Sequence, residues 1–383
     1  MIRFMLPLKS ILIFSLCNKP DTLNPDKISY IHINLRCLMK RLMLLLPVII
    51  LVSCKNPVTP GNDIAPGRRD YTWKVDTLDK ISIYNDYYFL WGTSPTNLWC
   101  IGEGGDVDKM ILHYDGLTWN NFAYPGQGME PWSIFGFSAD DFWAGGGVGD
   151  IYRYTNGQFN KFGDYKLDGY SMIFFMKFWG NSPNDIYVVG TAEKNANGRL
   201  YQIMMHYDGK TWDYIIKPET EGELIDIKRG KNDSPNYYLI NASGDLDSTG
   251  IYEFDGKSLK RIYNQSELDY NIPGIFSVNN DIYFGFNDKL LKYDYINGNF
   301  NIIKDFNGSN IRTMSHLTGR SQNDIFINMN DGIGHYNGSN VETIFKLDNK
   351  VLFNDAVLFE KDAFFICPDP AHRKFVIVHG QLK

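Results

Sequence analysis

The chain has no excess of basic residues. Its 383 residues carry a formal net charge of -6, and no Lys/Arg cluster interrupts the globular part. A nucleic-acid surface needs a basic stripe to meet phosphate, so that class of partner is excluded. Cysteine is scarce: of 5 in all, only Cys100 and Cys367 lie beyond residue 54. Two cysteines are no disulfide framework, so stability must come from a packed core. Both sit in apolar strand-like runs, LWCIG and FFICP, where buried free thiols are expected. No apolar run reaches the roughly 20 residues that a membrane-spanning helix requires. The glycine-rich GGGVGD (145–150) is followed by no helix whose amide end would hold a phosphate, and reads as a turn. What the chain does have is aromatic side chains, 15% of all residues with 24 Tyr and 25 Phe, and 35 glycines. That balance favours many short strands joined by tight turns.

The first 70 residues differ in character. From Met39 the chain reads MKRLMLLLPVIILVSC, two basic residues and then an apolar run ending at Cys54. This is the layout of an export signal. LVSC resembles the bacterial lipobox, which implies that Cys54 becomes the lipid-carrying N-terminus of a cell-envelope protein. The expected anchorage is a bacterial membrane, at the outer membrane or cell surface. Residues 1–38 read as an extension upstream of the true start. Residues 55–70 (KNPVTPGNDIAPGRRD), rich in Pro, Gly and polar side chains, read as a flexible tether. Residues 71–383 remain for a single domain.

That domain repeats itself. WGTSPTNLWCIG, FGFSADDFWAGG and WGNSPNDIYVVG begin at residues 91, 135 and 179, and weaker copies follow as SVNNDIYFGF and RSQNDIFINM. An aromatic after the polar turn marks the phase at Trp99, Trp143, Tyr187, Tyr238, Tyr283, Phe326 and Phe364. Each unit then offers a strand ending in an aromatic, an Asp-Gly or Asn-Gly turn, and a last strand such as TWNNF or TWDYI. Four antiparallel strands per 40–50 residues is the plan of a β-propeller blade. The seventh unit has three strands before the chain stops, and YTWKVDTL (71–78) matches the missing fourth. The expectation is an all-β, seven-bladed propeller closed by its N-terminal strand, leaving no exposed edge.

The motif W-G-x-S-P-N-D-x-W-x-V-G followed by H-Y-D-G-x-x-W resembles repeats of secreted and lipid-anchored bacterial propeller proteins. The glycine-rich strand end at Gly145–Gly147 resembles kelch-type blades. The resemblance implies a fold and an extracytoplasmic setting, and no particular activity.

Little in the repeat encodes chemistry. His113, His206 and His335 share one repeat position with Arg153, Glu253 and Lys292, which predicts a solvated or rim position. Asp141, Asp185, Asp281, Asp324, Asp115, Asp208 and Asp255 are expected in hairpin turns, where Asp bonds to nearby backbone. DLDSTG (245–250) places Asp245, Asp247 and Thr249 at alternate positions, as short calcium loops do, so calcium is the one cofactor the sequence raises. The SPND-like and Asp-Gly turns are short and uniform and share one face of the disc. The connections on the opposite face are long and dissimilar. They carry Tyr124, Glu130, Trp132, Tyr165, Tyr170, Glu219, Glu221, Glu223 and Tyr270, a mixture of aromatics and acids suited to protein or carbohydrate recognition. The leading expectation is a non-catalytic binding module with an envelope protein or glycan ligand. The alternative is a carbohydrate-active enzyme, a lyase or glycosidase, with its site in the central funnel.

Overall fold

A computed structural model describes residues 67–78, 84–122, 129–230, 236–242, 249–264, 272–347, 351–369 and 374–383. The export signal, Cys54, Tyr124, Asp245, Asp247 and Tyr270 lie outside them. The described residues form 28 strands in seven four-stranded antiparallel sheets, the blades of a propeller. Strand β1 (Tyr71–Thr77) comes first, and blades 1 to 6 follow at 85–121, 131–164, 170–216, 223–264, 274–305 and 311–346. Blade 7 is β26 (Asp355–Leu358), β27 (Asp362–Asp369) and β28 (Lys374–Leu382), with β1 on its outer edge. The register of that closing pair runs from Tyr71 opposite Leu382 to Thr77 opposite Val376. The closing strand anticipated at 71–78 is therefore present, with Leu78 just past its end.

Six further strands open blades 1 to 6: β2 (Asn85–Ser94), β6 (Pro131–Ser138), β10 (Tyr170–Ser182), β14 (Glu223–Arg229), β18 (Gly274–Val278) and β22 (Ile311–Ser321). With β26 they touch in sequence around the ring, so they are the inner strands and enclose the central channel.

The core is divided among the blade interfaces. Along the second strand of blade 1, Leu98 and Cys100 face blade 7 while Trp99 and Ile101 face blade 2. Side chains of a strand alternate between its two faces, so one apolar strand supplies two interfaces. The phase-marking aromatics all point toward the next blade: Trp143 packs into blade 3, Tyr238 into blade 5 and Phe326 into blade 7. Cys100 and Cys367 are buried and unbonded. They serve interfaces on opposite sides of blade 7, whose sheet separates them.

The seam is reinforced by arginines. Arg69 Nη1 donates to Glu342 Oε1 at 2.6 Å, and Nη2 donates to the carbonyls of His335 and Asn340 at 2.6 and 2.7 Å. Arg320 joins Asp324 to the hydroxyl of Tyr71 and to the carbonyl of Phe359.

The short turns lie together on one face, as the repeat implied. Gly116 abuts Thr96, Gly209 abuts Asn184 and Gly338 abuts Asn323, so in blades 1, 3 and 6 the Asp-Gly or Asn-Gly turn packs on the SPND-type turn of its own blade. In these turns Asp115 and Asp208 Oδ1 accept from the amides two and three residues on. Those backbone bonds hold both carboxyls below the usual carboxylate range.

Candidate functional site

The histidines are held by partners rather than free in solvent. In every blade the residue opposite the marker aromatic is polar: His113, Arg153, His206, Glu253, Lys292, His335 and His379 face Trp99, Trp143, Tyr187, Tyr238, Tyr283, Phe326 and Phe364. Each basic member but one meets the aspartate that opens the second strand. Arg153 meets Asp141 at 2.6 Å, His206 Asp185 at 2.7 Å, Lys292 Asp281 at 2.7 Å, His335 Asp324 at 2.8 Å and His379 Asp362 at 2.7 Å. In blade 1 the partner is Asn97, and in blade 4 the signs invert, with Asn236 donating to Glu253. The position is a cross-strand clamp, part-exposed in blades 2, 3 and 5, and the solvated reading is corrected at His335, which is 0% exposed. Arg69 Nε donates to His335 Nδ1 at 3.2 Å, which excludes a proton there and leaves the neutral Nε2–H tautomer to donate to Asp324. Burial holds the His335 pKa below that of free histidine. A clamp repeated around the ring is architecture, not catalysis.

The long-loop residues divide. Tyr170 donates its hydroxyl to the Pro218 carbonyl at 2.9 Å, and the carbonyl of half-buried Tyr165 accepts from Tyr214 at 2.6 Å. Glu221 is paired with Arg199 at 2.7 Å and accepts from the Tyr201 hydroxyl. Tyr165 and Tyr170 are occupied in packing the blades, and Glu221 is held in an exposed ion pair. Glu219 is exposed and Glu223 is half-buried. Thr249 is buried, and Asp245 and Asp247 of the proposed calcium loop lie outside the described residues.

Trp132 behaves differently. It is half-buried at the start of β6, stacked on Tyr88 of β2 with ring centroids 6.3 Å apart and edge-on to Phe174 of β10 at 5.3 Å. The three rings form a row across the inner strands of blades 1 to 3, at the channel mouth on the long-loop face. Gly147 is needed beside it, because a Cβ there would lie 2.9 Å from Trp132 Nε1. Acids flank the row: Tyr88 bonds to Asp86 and Glu103. Burial raises the pKa of Glu103, the Tyr88 bond opposes it, and Glu130 and Asp86 add to the rise.

Below the mouth lies a cavity of about 450 Å³, lined from the inner strands of blades 1 and 3 to 7. One register supplies much of its character. Counting two residues beyond each marker aromatic, the inner-strand partners are Phe89, Ser133, Lys177, Asp226, Gly274 and Asp355 in blades 1 to 5 and 7. Blade 6 is bulged there and presents His316 to the cavity. Two of these side chains tie blades together: Ser133 Oγ accepts from the Phe178 amide at 3.2 Å, and Asp355 Oδ2 from the Leu90 amide at 3.1 Å. Asp226 is paired with Lys228 at 2.5 Å. Lys177 stands 5.3 Å over the Phe89 ring and 3.9 Å from Asp355. Burial opposes the charge on Lys177, but Asp355 and Asp226 outweigh it and raise its pKa. The His316 side chain is exposed to the channel, yet desolvation by the surrounding strands lowers its pKa, with Asp355 and Asp226 opposing and Lys177 reinforcing. Sequence reasoning passed over this girdle. Its signal was a charged residue inside an apolar inner strand, as in SMIFFMKFWG, ELIDIKRG and FNDAVLF.

Among the described residues no group of three or more His, Cys, Asp or Glu is placed to hold a metal, and no helix is long and apolar enough to cross a membrane. No protein-family profile matches the chain, and no curated protein does. Solved structures match its fold. One is YCF48 bound to D1 peptide, with a TM-score of 0.56 at 14% identity, covering 85% of this chain and 99% of that one. Another is the extracellular domain of a putative one component system, BT4673, from B. thetaiotaomicron, at 0.53 and 12%, covering 80% of this chain and 40% of that one. A third is BBS1N in complex with ARL6DN, at 0.50 and 14%, covering 82% and 98%. These likenesses establish the propeller architecture.

Proposed function

We propose that the chain is a non-catalytic binding module, displayed in the bacterial cell envelope by a lipid on Cys54, that takes a peptide or protein segment at the channel mouth on its long-loop face. The aromatic row Tyr88–Trp132–Phe174 carries this reading. Half-buried rings held by packing offer a ligand apolar area at low entropic cost, and the flanking acids favour basic side chains over the rings. Propellers of this architecture solved with a D1 peptide and with ARL6DN support a polypeptide ligand over a glycan. The enzyme reading is weaker. It needs two carboxylates free to act on one bond, whereas Asp226 is held by Lys228 and Asp355 by the amides of Leu90 and Ala356.

Selection of peptides from a displayed random library tests the proposal. Peptides rich in Lys or Arg should be recovered, and Tyr88→Ala with Trp132→Ala should abolish their binding at unchanged thermal stability. Undiminished binding by the double variant would refute the assignment. For the anchor, Cys54→Ser should release the chain from the membrane fraction.

A further inference from the structure

The channel cavity offers chemistry that the mouth does not. At about 450 Å³ it lies within the size range of small-molecule sites. Its charges are unequally committed. Lys228 donates to Asp226 at 2.5 Å and to the Ile227 carbonyl at 3.3 Å. Asp355 accepts from the Leu90 and Ala356 amides at 3.1 and 3.0 Å. The ammonium of Lys177, by contrast, has no hydrogen-bond partner among the described residues. Its nearest anion, Asp355, is 3.9 Å away, beyond hydrogen-bond reach. The side chain nonetheless retains only 27% exposure. His316 Nδ1 is engaged by Ser315 Oγ at 3.2 Å, and its Nε2 has no partner among the described residues. Lys177 and His316 line the same cavity, where the ammonium opposes protonation of the imidazole. Asp355 balances the charge from 3.9 Å, but the ammonium's N–H donors have no acceptor among the described residues and are available to a ligand.

We propose that the channel is a receptor for a monocarboxylate with an apolar body, its carboxylate seated between Lys177 Nζ and His316 Nε2. The apolar body lies against Ile225, Ile275, Phe276, Leu317 and Phe353, which line the same cavity. Asp226 and Asp355 border the same space, so a doubly charged phosphate is repelled where a single carboxylate is tolerated. The groups facing His316 are Lys177 from β10, Asp226 and Lys228 from β14 and Asp355 from β26, while β2 and β18 present only apolar side chains to the cavity. A bound carboxylate favours the imidazolium and raises the His316 pKa, so binding takes up a proton. Affinity rises as pH falls from 8 toward 5.5, a range in which the ligand stays ionised.

The same chemistry occurs in a free acid and in a peptide C-terminus, and calorimetric titration of the full-length chain separates them. The probes are N-acetyl-phenylalanine, its amide, a ten-residue peptide ending in phenylalanine, and the same peptide amidated. The acid form of at least one pair should bind at least about tenfold more tightly than its amide, the scale of a charge-assisted hydrogen bond. Binding of the free acid alone identifies a small acid, and binding of the peptide acid identifies a C-terminus. Lys177→Met should erase the acid–amide difference. His316→Gln should keep it but flatten its pH dependence. Thermal melts and residual binding of the amides verify that the variants are folded. Equal binding of acid and amide, or no binding of any probe, would overturn the proposal. So would an acid–amide difference that survives Lys177→Met. The site is independent of the aromatic row, so Tyr88→Ala with Trp132→Ala should leave free-acid binding intact.

Discussion

Two registers of the same blades behave oppositely. Across the second and third strands, an aromatic faces a polar residue in all seven blades, and wherever the strand-opening residue is an aspartate its partner is His, Arg or Lys. Along the inner strands, two residues beyond the same aromatic, the side chain changes from blade to blade: Phe89, Ser133, Lys177, Asp226, Gly274, Asp355. The clamp solves a problem every blade has, joining its strands and packing on the next. The girdle answers nothing that every blade shares, since packing requires neither a lysine nor a histidine beside the channel. Repetition marks support here, and departure from repetition marks where a ligand is met.

The comparison can be broken first at blade 6. Asp324→Ala leaves His335 and Arg320 without their common partner in a buried site. Unfolding free energy should fall by about 3 kcal/mol or more, read by urea denaturation. His206→Ala removes the equivalent pair from blade 3, where both side chains are about a third exposed, and should cost about 1 kcal/mol or less. Equal losses would show that burial does not grade the clamp.

The pH dependence sharpens the same point. His335 is buried neutral with its pKa depressed, so the unfolded chain takes up its proton first as pH falls. Its contribution to stability is full above about pH 6.5 and declines as pH drops below that value. Asp324 is also held low, because the bonds from His335 and Arg320 outweigh its burial. Its contribution persists above the ordinary carboxylate range and is lost only as pH falls through its depressed pKa. Denaturation between pH 8 and pH 5 should therefore show a decline that His335→Gln reduces. The smallest loss belongs to the girdle: Lys177→Met should cost no stability, because the ammonium has no hydrogen bond to lose and Asp355 keeps its two backbone donors.

The propeller was legible because its signals recur. Trp99, Trp143 and Tyr187 each follow a polar turn at fixed spacing, and YTWKVDTL fills the one vacancy in the last blade. The clamp was misread because His, Arg, Glu and Lys at one position look like indifference to residue type. The partner position varies with it, Asp141 with Arg153 and Asn236 with Glu253, and that joint variation was the signal. The girdle was illegible for a different reason. Lys177 and Asp355 lie in otherwise apolar strands, and a period-2 pattern does not say which strand of a sheet borders a channel. Of the loop aromatics, sequence separated none, since Tyr165, Tyr170 and Trp132 differ only in what the fold gives them to pack against.

Hydrogen exchange of the full-length chain, with and without a peptide selected from the library, tests the central claim that ligands are met where the blades differ. Protection should appear at residues 86–90, 130–134 and 172–177, at the starts of the inner strands of blades 1 to 3. Protection confined to the short turns at 94–97, 115–118 and 208–211 would place the ligand on the opposite face and contradict the account.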